Sequence, residues 1–191
     1  MERPESLSPE YFEDLCNQLL PKDKNLTIIE VGTWKGASAF HMINGCNKNC
    51  TMYCVDTWLG SIEHYDNVSR DENGYPCIFN EFWNNVKAAG FQDIIKPITL
   101  PSQEAARILK HRNVMADFIY IDASHDYKNA KADMETYWQL LKPGGTMFGD
   151  DFYEPYWYGV VGAVQMFSFE VGIQFKKIGT TWFITKKVES M

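Results

Sequence analysis

Residues 26–36, L-T-I-I-E-V-G-T-W-K-G, constrain what this chain can fold into more than any other stretch. Leu26, Ile28, Ile29 and Val31 form a short apolar run rich in β-branched side chains. The run follows the charged segment Lys22–Lys24 and stops at a glycine, which reads as a buried central strand. Gly32 and Gly36 bracket a tight loop, and Ala37, Ser38, Ala39 and Phe40 open a helix. A buried strand entering a helix through a glycine loop directs backbone N–H groups at the helix N-terminus, a ready place for an anionic group. A dinucleotide loop calls for G-x-G-x-x-G at this point. The chain has E-x-G-x-x-x-G instead, which argues against a nicotinamide oxidoreductase.

Strands and helices alternate from there. Thr51–Asp56 reads as a second strand ending on an acid, and Ile94–Leu100 as a third. Phe118–Ile121 reads as a fourth, ending at Asp122. Phe82, Val86 and Ala89 mark one intervening helix. A second starts at Ser102, its candidate N-cap, with Glu104 in the first turn. Ala130, Met134, Tyr137, Trp138 and Leu141 share a face of a third. Lys142-Pro143-Gly144-Gly145 stops that helix and feeds a fifth strand, T-M-F-G, ending on Asp150-Asp151. Val160, Val164 and Phe167 mark the last helix, and Gly179-Thr180 joins two terminal strands as an antiparallel hairpin. Such alternation implies a parallel sheet covered on both faces.

Before the first strand, Ser8 as N-cap and Pro9 at the first helical position start an extra helix, carried by Phe12, Leu15, Cys16 and Leu19 and ended by Pro21. Whether it covers the sheet, a site mouth or a partner subunit stays open, so a homo-oligomer is left open too. Residues 57–76 have no clean period. Their Trp58, His64, Tyr65 and Tyr75 suit an active-site lid better than a disordered linker. At 191 residues the chain is expected to be one domain, with residues 1–25 as a helical extension.

A net charge of −7 argues against a nucleic-acid backbone as the main partner. No apolar run approaches the ~20 residues of a membrane span, and the first residues lack a secretory layout. The expected location is cytoplasmic. Cys16, Cys46, Cys50, Cys54 and Cys77 form no two-pair metal pattern and read as reduced, mostly buried thiols.

Ligands of open α/β sheets bind at the carboxyl ends of strands, near the switch in strand order. Asp56 there would accept both hydroxyls of a ribose, or would be a plain turn aspartate. These features resemble the class I S-adenosylmethionine (SAM) methyltransferases: the acid and glycine loop of E-x-G-x-x-x-G, the acid ending strand two, and the terminal hairpin. The resemblance implies a Rossmann-like α/β fold with a seven-stranded, mostly parallel sheet of order 3-2-1-4-5-7-6. It implies SAM bound by Gly32, Thr33, Trp34, Gly36, Ser38, Asp56 and Asp122. Glu30 would reach the methionine end, and Ser102 and Gln103 the adenine edge, although helix capping accounts for Ser102 equally well.

In that fold strands four and five are neighbours, their ends ~4.8 Å apart. D-A-S-H at Asp122–His125 then meets G-D-D at Gly149–Asp151, and such carboxylates repel unless a cation or protons intervene. The group resembles the metal-dependent O-methyltransferases. It implies Asp122, Asp150 and Asp151 as ligands of a divalent ion, Mg²⁺ by chemistry, and a small hydroxylated acceptor such as a sugar or natural product. His125, three residues after Asp122, is either the general base or a partner to Asp122, with Lys128 as understudy. The competing expectations are a metal-independent methyltransferase, a relative using the same fold for another reaction such as hydroxylation, and a SAM-binding module without catalysis.

Overall fold

The protein is described from a computed structural model over residues 9–61 and 68–188. In chain order the elements are α1 (Pro9–Leu19), β1 (Leu26–Val31), α2 (Ala37–Gly45), β2 (Cys50–Asp56), α3 (Ile78–Ala89), β3 (Ile95–Thr99), α4 (Ser102–His111), β4 (Ala116–Ile121), α5 (Tyr127–Trp138), β5 (Leu141–Gly149), α6 (Tyr158–Val171), β6 (Lys176–Ile178) and β7 (Thr181–Thr185). The strands form one sheet ordered β3-β2-β1-β4-β5-β7-β6. β1 to β5 run parallel, and β7 pairs antiparallel with both β5 and β6. The expected fold and strand order are therefore observed.

The two-residue period of a strand sorts the core into two layers. Leu26, Ile28, Met52, Phe118 and Tyr120 face one layer with α2 and α3, while Ile29, Val31, Ile119, Ile121 and Met147 face the other with α4, α5 and α6. The first helix, whose N-cap Ser8 lies outside the described residues, lies on the sheet. Its Phe12, Leu15 and Cys16 are buried in the first layer, and the Phe12 ring meets Tyr120 at 5.3 Å. Both sheet edges resist further pairing. β3 carries Pro97, which has no N–H to offer, and β6 carries exposed Lys176 and Lys177.

Three local readings are corrected. K-P-G-G does not precede the fifth strand but lies inside it: Leu141 pairs with Ala116 and Thr146 with Phe118, so residues 142–145 bulge out. Pro143 cannot donate to the ladder, which explains why the pairing breaks there. Ser102 is the first residue of α4, not its cap; Pro101 holds the cap position without a side-chain bond. Cys50 begins β2 rather than preceding it. All five cysteines are free thiols, four of them buried, and burial pushes the Cys16 thiol up to about 12.

Candidate active site

The carboxyl ends of β1, β2, β4 and β5 open into a cavity of about 760 Å³. Its walls include Gly32 and Trp34 from the first loop, Asp56, Thr57, Gly60 and Ser61 after β2, and Pro101 and Ser102 after β3. Asp122, Ser124 and His125 follow β4, Asp150 and Asp151 follow β5, and Trp157 and Asn129 complete the wall. The switch in strand order, between β1 and β4, lies at its centre.

The glycine loop is built for close approach. Gly32 has φ +91°, and a Cβ there would lie 1.9 Å from the Asp122 carbonyl oxygen, so no other residue fits without moving the backbone. This contact brings the ends of β1 and β4 together, where the Gly32 N–H donates to Val55 and the Asp122 N–H to Val31. Gly36 caps α2 with no side-chain hydrogen bond, which leaves the first amides of that helix without a side-chain acceptor. Below the loop Glu30 is fully buried, flanked in the ladder by Cys54 and Tyr120. Its Oε1 accepts from the Ser38 hydroxyl, and its Oε2 has no hydrogen-bond partner. Burial raises this carboxyl to about 8, against the opposing pull of the Ser38 hydroxyl.

Asp56 organises two loops. One oxygen accepts the Trp34 N–H at 2.8 Å and the other the Trp58 N–H at 2.7 Å. The Trp58 indole then donates to the Trp34 carbonyl at 2.8 Å. Trp58 itself is buried, stacked on Phe82 at 5.0 Å, so this aromatic of the 57–76 segment anchors in the core under α3. Residues 62–67, with His64 and Tyr65, lie outside the described residues. Beyond them, Asp71 accepts the Asn73 and Tyr75 N–H groups in a compact turn.

At the β4–β5 end, ligand atoms of Asp122, His125 and Asp151 lie within 4.8 Å of one another. His125 Nε2 stands 2.9 Å from Asp151 Oδ2, and the imidazole packs on Trp157 with ring centroids 4.0 Å apart. Two backbone features produce this meeting. Asp151 has φ +61°, so the chain has already turned out of the strand there. Gly159 lets α6 press against the loop after β4; a Cβ at this position would lie 2.2 Å from the His125 carbonyl. Burial, then the charges of Asp151 and Asp150, raise the Asp122 carboxyl to about 7, while His125 pulls it down.

The sequence-derived candidates divide accordingly. Gly32, Trp34, Asp56, Ser102, Asp122, His125, Asp150 and Asp151 line the cavity, whereas Glu30, Thr33, Gly36 and Ser38 are not among its lining residues. Asp150 lies outside the converging trio, and its Oδ1 accepts from Thr180 at 2.5 Å. His125 takes its place. Lys128 is exposed and lines no part of the cavity. His41 and His111 lie on α2 and α4, away from the cavity. Of the aromatic residues that follow β5, Trp157 reaches the wall, and Tyr153 and Tyr156 stack on each other at 5.6 Å.

Sequence reasoning missed Asn129, Thr180 and Asp133. The last was findable. Asp133 interrupts the apolar face formed by Ala130, Met134 and Tyr137, and it is 2% exposed with its carboxylate accepting the Ser102 hydroxyl.

A family profile described as a methyltransferase domain matches residues 29–152, more than half of the chain. A search of curated proteins finds no match. Among solved structures the chain resembles an O-methyltransferase from Bacillus cereus in complex with SAH (17% identity, 97% of this chain and 83% of that one, TM-score 0.65). It also resembles the O-methyltransferase TomG from Streptomyces achromogenes, involved in tomaymycin synthesis and complexed with SAM (12% identity, 93% and 79%, TM-score 0.64). A third is CalS11, a TDP-rhamnose 3'-O-methyltransferase of calicheamicin biosynthesis (16% identity, 94% and 77%, TM-score 0.63). With the sheet order, the glycine loop and the profile in agreement, this chain belongs to the methyltransferase-domain family and is a class I SAM-dependent methyltransferase.

Proposed function

We propose that the protein is an O-methyltransferase that transfers the methyl group of SAM to a hydroxyl of a small acceptor, with a divalent cation at Asp122 and Asp151 and His125 beside it as the base. The observation that carries this reading is the convergence of those three side chains on one wall of the cavity that also holds Gly32 and Asp56. Two features around the glycine loop suit the cofactor. The Glu30 Oε2 stands unpaired beneath the glycine loop, and the uncapped amides of α2 suit a carboxylate. Gly32, Trp34, Asp56 and Ser102 would hold SAM along the cavity, with Thr33, Gly36, Ser38 and Glu30 shaping the loop from behind. Bound there, SAM supplies a methyl group already activated on a sulfonium.

The donor set at the other end is the two carboxylates Asp122 and Asp151, which suit Mg²⁺ or Mn²⁺. A cation so held supplies positive charge that favours an ionised acceptor hydroxyl. The chain's own groups do the rest. Asp151 orients the imidazole of His125 and stabilises its protonated form through the 2.9 Å contact, which fits His125 to take a hydroxyl proton. Trp157 covers the imidazole face and excludes water from it. The wall aromatics Trp34 and Trp157 and the rhamnose-modifying neighbour favour a sugar or sugar-like acceptor. Gly60 and Ser61, just after the anchor that Trp58 makes in the core, line the cavity where that acceptor would sit. A cytoplasmic location suits the five free thiols.

The test is methyl transfer from labelled SAM to a panel of sugars, catechols and polyhydroxylated natural products, with Mg²⁺ and with EDTA. Transfer to a hydroxyl that EDTA abolishes and Mg²⁺ restores supports the whole reading. Transfer indifferent to chelation removes the metal, and SAM binding with no transfer to any acceptor favours a binding module.

A further inference from the structure

The first residue of α4 is held from two sides by α5. The Ser102 hydroxyl donates to Asp133 Oδ1 at 2.5 Å, and the Tyr137 hydroxyl donates to the Ser102 carbonyl at 2.7 Å. Asp133 is 2% exposed and Tyr137 fully buried, one helical turn apart on the inner face of α5. A buried carboxylate is expensive unless it has work for its lone pairs, and nothing in methyl transfer uses this one. The clamp is not a helix cap, because the α4 cap position is Pro101 and no side chain caps it.

The consequence lies in the direction of the bond. A serine hydroxyl has one proton and two acceptor lone pairs. With its proton committed to Asp133, Ser102 can offer only an acceptor to the cavity it lines. Position then names what meets it. Asp56 pairs with Thr99 across β2 and β3, so a nucleoside whose sugar lies at Asp56 carries its base toward the loop after β3, where Ser102 stands.

We propose that Asp133 is a positioning residue for the cofactor's nucleobase: it fixes Ser102 as a hydrogen-bond acceptor and thereby selects a base that presents an exocyclic amino N–H. This deepens the SAM reading above and rests on it. The charge state agrees with the geometry. Burial, with the Asp126 charge adding and the Ser102 bond opposing, brings the Asp133 carboxyl to about 6, so it is ionised and acceptor-only at neutral pH. Burial and the Asp133 charge hold the Tyr137 hydroxyl protonated as a donor. A base without the amino group would face a bare lone pair, or would force the hydroxyl to turn away from Asp133 and leave a buried carboxylate oxygen unpaired.

The experiment is calorimetry at pH 7.5 with two probes, SAH and its 6-deamino purine analogue, on the intact protein. The wild type should bind SAH about tenfold or more tighter, the scale of one unmade bond to a buried polar group. Ser102→Ala should bring that ratio close to one, Ser102→Thr should keep it, and Asp133→Asn should reduce it, since a carboxamide can turn its NH₂ to Ser102 and free the hydroxyl proton. A merely structural clamp would weaken both probes equally and leave the ratio unchanged in Ser102→Ala and Asp133→Asn, which overturns the proposal. Should Asp133→Asn fail to fold, the Ser102→Ala and Ser102→Thr pair decides alone. Loss of SAH binding by the wild type itself would sink the cofactor site, a result distinct from an unchanged ratio.

Discussion

Asp56→Ala is the most informative single change, because the structure gives this residue work before any ligand arrives. Its two oxygens hold the Trp34 and Trp58 amides at 2.8 and 2.7 Å. Hydrogen bonds to a charged acceptor contribute roughly 1.5–3 kcal/mol each. The carboxylate is half-buried, so solvent screening discounts that sum. A loss of about 2–4 kcal/mol in the ligand-free protein follows. At roughly 2–4 °C per kcal/mol for a chain of this size, the melting temperature should fall by on the order of 5–15 °C. Asp56→Asn keeps one acceptor oxygen and should lose about half as much. The assay is thermal and urea denaturation without ligand, followed by calorimetry with SAH on whatever fraction remains folded. Because the Trp58 indole bonds the Trp34 carbonyl, tryptophan fluorescence should report loosening of both loops together. A ligand-free Asp56→Ala protein melting within about 2 °C of wild type would refute the argument that Asp56 organises the loops.

Gly32→Ala combines a left-handed backbone with a Cβ 1.9 Å from the Asp122 carbonyl. Strain of ~1–3 kcal/mol and overpacking of similar size should lower stability by about 2–6 kcal/mol, and an unchanged melting curve would contradict the close approach of β1 and β4. Burial raises Glu30 from 4.5 to about 8, so the folded state binds more protons than the unfolded one across that window. Stability should therefore fall as pH rises from 4.5 to 8 and level off above, with Asp122, raised from 3.8 to about 7, adding the same sign in metal-free protein. Glu30→Gln should flatten that slope and raise the melting temperature above pH 8 while changing little near pH 4; an unaltered pH profile would mean Glu30 is ionised in the fold. His125→Ala should cut turnover by roughly 10²–10⁴-fold with SAH affinity almost unchanged, and a near-normal rate would leave His125 a bystander.

The strand–glycine–helix unit at 26–36, the alternation of strands with helices and the acids at strand ends were legible in the sequence. All of them are local: side-chain period, glycine position and the residue type at a strand terminus are set within a few positions along the chain. The tertiary structure decided the rest. Asp150 and Asp151 are the same residue type side by side, and no sequence rule separates them. Thr180, arriving from the β6–β7 turn, takes Asp150, while a positive φ swings Asp151 to His125. Ser102 looked like a cap because its partner is 31 residues away on another helix. Trp58 looked like part of a lid, and only its packing against α3 shows it buried on Phe82. In each case the deciding contact joins segments distant in sequence. A pattern read along one dimension reports which face a residue takes, and cannot report what the folded chain brings against that face.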